Sequence, residues 1–259
     1  MLAEGTLRRP TVLVLSALLL LSAAAWGLLL WRGHQGGGAE MGDMGPGLTL
    51  GMGMPLFLAM WVLMMVAMMF PTAAPMILTF ARVARSQKSR GQAYVPTWFF
   101  VGSYLAVWTV FGVVAYVGAT AAGYAVARVV FLEENAGMIV GAVLAAAGLY
   151  QLSPVKGACL SQCRTPMGFV LRFWRRGYAG ALRMGIVHGT YCLGCCWLLF
   201  VVLFPLGVMN VAAMGLVTLL IFAEKSLRHG VWVGRGVGVG LALLGLAVAV
   251  LPGLLPAVL

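Results

Sequence analysis

The chain has 259 residues, 62% of them hydrophobic and 9% charged, with a formal net charge of +11 and a mean hydropathy of +1.00. Soluble domains carry about a quarter charged residues and under half apolar ones, which excludes a soluble globular enzyme and any disordered or fibrous class. Nucleic-acid binding is excluded too, because the 17 Lys and Arg residues sit beside apolar runs and form no separate basic domain.

A membrane-spanning helix needs about 20 apolar residues. Seven segments meet that need: Thr11–Trp31, Pro55–Phe80, Pro96–Tyr116, Gly137–Leu152, Met184–Phe204, Pro205–Ala223 and Val231–Leu251. The expected fold is all-α, a polytopic transmembrane helix bundle of about seven spans. Residues 1–31 read as an N-terminal anchor helix. Arg8-Arg9 and Ala23-Ala24-Ala25 would also suit a signal segment, but the apolar run is longer than a usual signal core. Residues 32–54 form an outer Gly/Met-rich loop, and residues 55–259 a six-helix membrane metal-binding domain. Phe204-Pro205-Leu206-Gly207 is expected to close the fifth and sixth spans into a tight hairpin. Basic residues cluster before span one and in the loops after spans two, four and six, from Arg82 and Lys88 to Arg172, Arg183 and Arg228. The positive-inside rule then places the N-terminus inside and the C-terminus outside, in the inner membrane of the cell.

Ten of the 16 methionines lie between Met41 and Met76. Met41, Met44, Met52 and Met54 fall in the glycine-rich loop, which has no apolar core to fill. Their Met-x-x-Met and Met-x-Met spacings let two thioethers reach one soft ion, so this loop is a candidate for outer metal capture. In span two, Met60, Met64 and Met68 share one helix face, and Met65, Met69 and Met76 another. Methionine also packs well against neighbouring helices. Yet two thioether ladders above a break expected at Pro71 and Pro75 suit a conduit for a soft ion.

All five cysteines lie in the second half. Cys159 and Cys163 fall in or beside the reducing cytoplasmic loop, where a structural disulfide is not expected. Span five carries His188-Gly-Thr-Tyr-Cys192-Leu-Gly-Cys195-Cys196-Trp197. Taking His188 as zero on a helical wheel, Cys192 falls at about 40°, Cys195 at about −20°, Cys196 at about 80° and Met184 at about −40°. One stripe thus carries an imidazole, three thiols and a thioether. A histidine at membrane depth is costly and functional by default, and thiolate with imidazole suits Cu(I), Zn or an iron–sulfur site. Asn210, between Met209 and Met214, reads either as support for the site or as an interhelical hydrogen bond. Glu224-Lys225 reads as an ion pair at the membrane surface.

Met60-Trp-Val-Leu-Met64-Met65-Val-Ala-Met68-Met69-Phe-Pro71, Cys159-Leu-Ser-Gln-Cys163-Arg164-Thr-Pro166 and the His188–Trp197 element resemble the predicted metal-binding integral membrane proteins known as domain of unknown function 2182. Gly207-Val-Met209-Asn210 and Glu224-Lys225 also fit that pattern. The resemblance implies a polytopic membrane protein that binds metal. Copper follows from ligand softness instead.

The leading expectation is a Cu(I)-handling membrane protein, a transporter or a donor to a cuproprotein, with Zn as the competing metal. Ligands tighten from outer thioethers to inner thiols, which favours inward movement. The chain holds no ATP-binding motif. Expected partners are the metal ion, the lipid bilayer and a periplasmic or cytoplasmic metallochaperone or cuproenzyme. The second reading is a membrane thiol–disulfide or haem-linked oxidoreductase using Cys192, Cys195 and Cys196. The third is a receptor-like or structural bundle in which the sulfur stripe only packs.

Overall fold

The computed structural model describes residues 2–35, 49, 51–91, 94–129, 135–208 and 210–251. Met41, Met44 and Met209 lie outside the described residues. Among the described residues the chain is all-α, with nine helices: α1 (Leu2–Gln35), α2 (Met54–Ser89), α3 (Thr97–Arg128), α4 (Ala136–Leu152), α5 (Pro154–Arg164), α6 (Pro166–Phe173), α7 (Gly177–Val202), α8 (Val211–Ser226) and α9 (Gly230–Val250). Five of them, α1, α2, α3, α7 and α9, are long and apolar enough to cross a membrane. The pair α4–α5 makes a sixth if its two arms, bent by 60°, are one span. These helices are compatible with a multi-pass membrane protein.

Helix α2 is the hub, packed against α1, α3, α6 and α8. Its most apolar window is 56% buried within the protein, against 22% for α1 and for α9. Pro71 and Pro75 do not break it: the helix runs through both. Pro71 has no N–H to give the carbonyl of Ala67, four residues back. Helix α1 supplies the missing donors, Ser22 Oγ at 2.8 Å and Trp26 Nε1 at 3.1 Å from Ala67 O. Near the second proline, Thr79 Oγ1 donates to Pro75 O at 2.8 Å.

Ring contacts give the relative directions. Phe57 meets Tyr116 and Phe80 meets Phe100, so α2 and α3 are antiparallel. Phe100 stacks on His188 and Trp108 meets Phe200 at a tilt, so α3 and α7 run the same way. Helices α4 and α9 are antiparallel and nearly touch along their backbones. A Cβ on Gly141 would come within 2.6 Å of Ala249 N, and one on Gly238 within 2.8 Å of Gln151 Cβ.

Two local departures reshape the expected spans. First, Ser153 is extended (φ −70°, ψ 147°), as a residue before proline prefers, and its hydroxyl accepts from Lys156 N. The chain therefore restarts as α5 where a loop was expected. Second, in place of the tight hairpin, α7 ends at Val202 and α8 starts only at Val211. Gly207 turns at φ +86°, and Asn210 Oδ1 accepts from Ala213 N at 3.1 Å to cap α8. Asn210 is thus a helix cap. Helix α8 keeps 16 residues, about 24 Å at 1.5 Å each, short of the roughly 30 Å hydrocarbon layer.

Candidate metal centre

Helix α7 presents His188, Cys192, Cys195 and Cys196 on its buried stripe, each at most 2% exposed. Cys195 Sγ and Cys196 Sγ both donate to Cys192 O, at 3.1 and 2.8 Å, which folds the two thiols back along their own helix. The Cys192 sulfur is the focus. The Tyr104 hydroxyl of α3 lies 3.2 Å away, and the Lys225 ammonium of α8 donates to it at 3.1 Å. The bend before α5 brings Cys163 into the same buried core as Cys192 and Cys195, close to their thiols. Cys159, one turn earlier, is half-buried. Its Sγ fills the space that a Cβ on Gly194 would need, 2.8 Å away, while the Tyr150 hydroxyl donates to Gly194 O. All five cysteines are free thiols.

His188 is 2% exposed, and neither Nδ1 nor Nε2 has a hydrogen-bond partner. Its ring is held by Phe100 and Tyr104, stacked at 5.8 and 5.5 Å, and by the edge of Phe169 at 5.5 Å. A buried imidazole with both nitrogens idle is uncommon, because an unmade hydrogen bond costs about 1–3 kcal/mol. His188, Cys163 and Lys225 line one cavity of about 220 Å³, with Thr72, Met76 and Arg164.

The methionines divide by depth. Met64, Met65, Met68 and Met69 are fully buried, Met76 and Met184 nearly so, and Met214 fully, in one core continuous with the cysteines. Met60 and Met52 are half-buried, and Met54 is exposed. Towards the Met54 end of α2, Phe57, Trp61, Trp108, Phe111, Phe200 and Phe204 form a packed aromatic layer. Trp61 Nε1 donates to Trp108 O there at 3.0 Å.

Glu224 and Lys225 do not pair with each other. Glu224 binds Lys156 of α5 at 2.6 Å, both side chains being 2% exposed. Gln151 Nε2 donates to its other oxygen at 2.7 Å, and Lys156 also donates to Gln151 Oε1. Arg164 donates to the carbonyls of Glu224, Leu227 and Arg228, closing the end of α8. With Glu224 engaged by Lys156, Lys225 is left to reach Cys192. Tyr104, Lys156 and Gln151 were not legible as site neighbours, since each comes from another helix and has no spacing signal.

Among the described residues, no group of three or more His, Cys, Asp and Glu side chains is arranged to hold a metal ion. The donor set is nonetheless soft throughout: four thiols, an idle imidazole and buried thioethers in one core. A family model described as PpoB2, copper chaperone, matches residues 58–248. The chain belongs to the PpoB2 copper chaperone family. The matched stretch includes every cysteine, His188 and the methionines from Met60 onward. No curated protein and no solved structure matches the chain. Membership in PpoB2 brings copper handling to this soft donor set, and it agrees with the metal expected from ligand softness.

Proposed function

We propose that this PpoB2-family chain is an integral membrane Cu(I) chaperone of the inner membrane, which holds the ion in its buried sulfur cluster and delivers it to a cuproprotein. Cys192, Cys195 and Cys163 are the principal ligands, with His188 and a span-two thioether, Met68 or Met64, completing the set. Cys196 and Cys159 serve as exchange ligands at its edges. Loading draws these donors together around the ion, because the thiols that now donate to the Cys192 carbonyl turn their lone pairs to Cu(I). Soft thiolates and thioethers favour Cu(I) over hard cations, and Zn is the competitor that His188 would also accept.

The observation that carries this reading is the idle, fully buried His188 beside a four-thiol cluster in a copper chaperone family. The alternating helix directions suit seven crossings, with α8 as a short sixth, N-terminus inside and C-terminus outside. In that orientation the cavity at Arg164 and Lys225 faces the basic, cytoplasmic side, while the aromatic layer closes the outer side. Exchange with partners therefore takes place from within. The test is metal analysis of protein purified under reducing conditions, with competition by a Zn chelator and by a Cu(I) chelator. Copper held against the first and lost to the second supports the reading; retention of Zn alone sinks it.

The presence of Cys163, Cys192 and Cys195 in one buried core also suits thiol–disulfide chemistry. A reducible internal disulfide in protein that takes up no copper would favour that reading.

A further inference from the structure

The cavity beside the sulfur cluster has its own chemistry. Its volume of about 220 Å³ is several times the roughly 30 Å³ share of one water, so it is larger than a bare ion needs. Thr72 and Met76 come from α2, Cys163 and Arg164 from α5, His188 from α7 and Lys225 from α8. Two of these are cations that no carboxylate neutralises: among the described residues the one ion pair joins Lys156 to Glu224. Three more are soft donors, Met76, Cys163 and His188, the last an imidazole with both nitrogens idle. An anion bearing a sulfur matches both halves of this wall.

We propose that the cavity docks a small carboxylate-bearing thiol carrying Cu(I), from whose sulfur the metal passes to Cys163. This rests on the copper reading above. Cu(I) in a reducing compartment is bound to thiols, and its complex with an acidic thiol is an anion. Lys225 and Arg164 attract the carboxylates and Cys163 receives the metal. As the Cu–S bond to the carrier breaks, the Cu–Sγ bond to Cys163 forms. Copper stays Cu(I) throughout, and the thiol proton of Cys163 leaves on the departing carrier sulfur. Cys163 then hands the ion to Cys192 and Cys195, which share its buried core. The walls come from five helices, α2, α5, α6, α7 and α8, around a small recess, which favours a small molecule over a protein segment.

Rates of copper uptake by the full-length protein in detergent test this, with Cu(I) supplied as its glutathione complex or as its neutral 2-mercaptoethanol complex. The readout is the ratio of the two rates. Lys225→Met should lower that ratio about tenfold, the loss of a charge-assisted contact, and Lys225→Arg should restore most of it. Ser226→Glu, on the exposed rim, adds a negative charge with little burden on folding and should lower the ratio in the same direction. An unchanged ratio in both Lys225→Met and Ser226→Glu overturns the proposal. So does uptake from a copper-loaded metallochaperone protein that excess glutathione fails to compete, since the occupant is then a protein. If the parent chain loads from neither complex, the copper reading itself fails.

Discussion

Cys192 is where the chemistry concentrates, because Tyr104 and Lys225 both meet its sulfur, while Cys195 and Cys196 donate to its carbonyl. Thiolates dominate affinity for a soft ion, so Cys192→Ser and Cys195→Ser should each lose most bound copper. Met68→Leu keeps the volume but loses the thioether lone pair, and should slow uptake more than it lowers final copper content. If the sulfur stripe serves packing alone, copper content stays constant while every variant melts slightly lower. The buried pair makes a separate prediction. Glu224→Gln leaves the Lys156 ammonium without its counter-charge and should destabilise the protein by about 3–5 kcal/mol, whereas Lys156→Met with Glu224→Met should recover most of that in a thermal unfolding assay. Helical spacing made the His188–Cys196 stripe readable from sequence, since all its members share one helix. Cys163 could be read only as a loop thiol, because its position depends on the bend at Ser153-Pro154. The pairing of Glu224 with Lys156, not with adjacent Lys225, was hidden for the same reason.

Helices α1 and α2 are joined by a hydrogen-bond exchange that a hydropathy pattern cannot express. Pro71 deprives Ala67 O of its own helix's donor, and Ser22 and Trp26 replace it. Ser22→Ala with Trp26→Phe should therefore cost about 1–3 kcal/mol for a buried carbonyl left unpaired. Adding Pro71→Ala should return part of it, because that substitution restores a backbone N–H four residues after Ala67. A melting series of the three proteins checks this, and no recovery in the triple variant would show that the exchange does not hold α1. Long apolar runs announced α1, α2, α3, α7 and α9, whose composition alone marks them as spans. Helix α8 was anticipated as a full span, but Asn210 starts it late and it ends at Ser226. Capping chemistry moved that boundary, not hydrophobicity.

For the molecule as a whole, the proposed orientation rests on the basic loops. The antiparallel pair α2 and α3, the parallel pair α3 and α7 and the antiparallel pair α4 and α9 are compatible with the seven crossings proposed above. A reporter active only on the outer side should be silent within Ser86–Gly91 and active when inserted after Arg128; activity at the first site would overturn the orientation and the inner-facing cavity with it. The central claim is that the buried sulfur cluster holds copper. Its most direct test is bound copper per chain after reductive purification, for the parent protein and for Cys192→Ser with Cys195→Ser, beside their melting temperatures. The account predicts near-stoichiometric copper in the first and little in the second, with folding largely kept. Full copper retained in the folded double variant would contradict it.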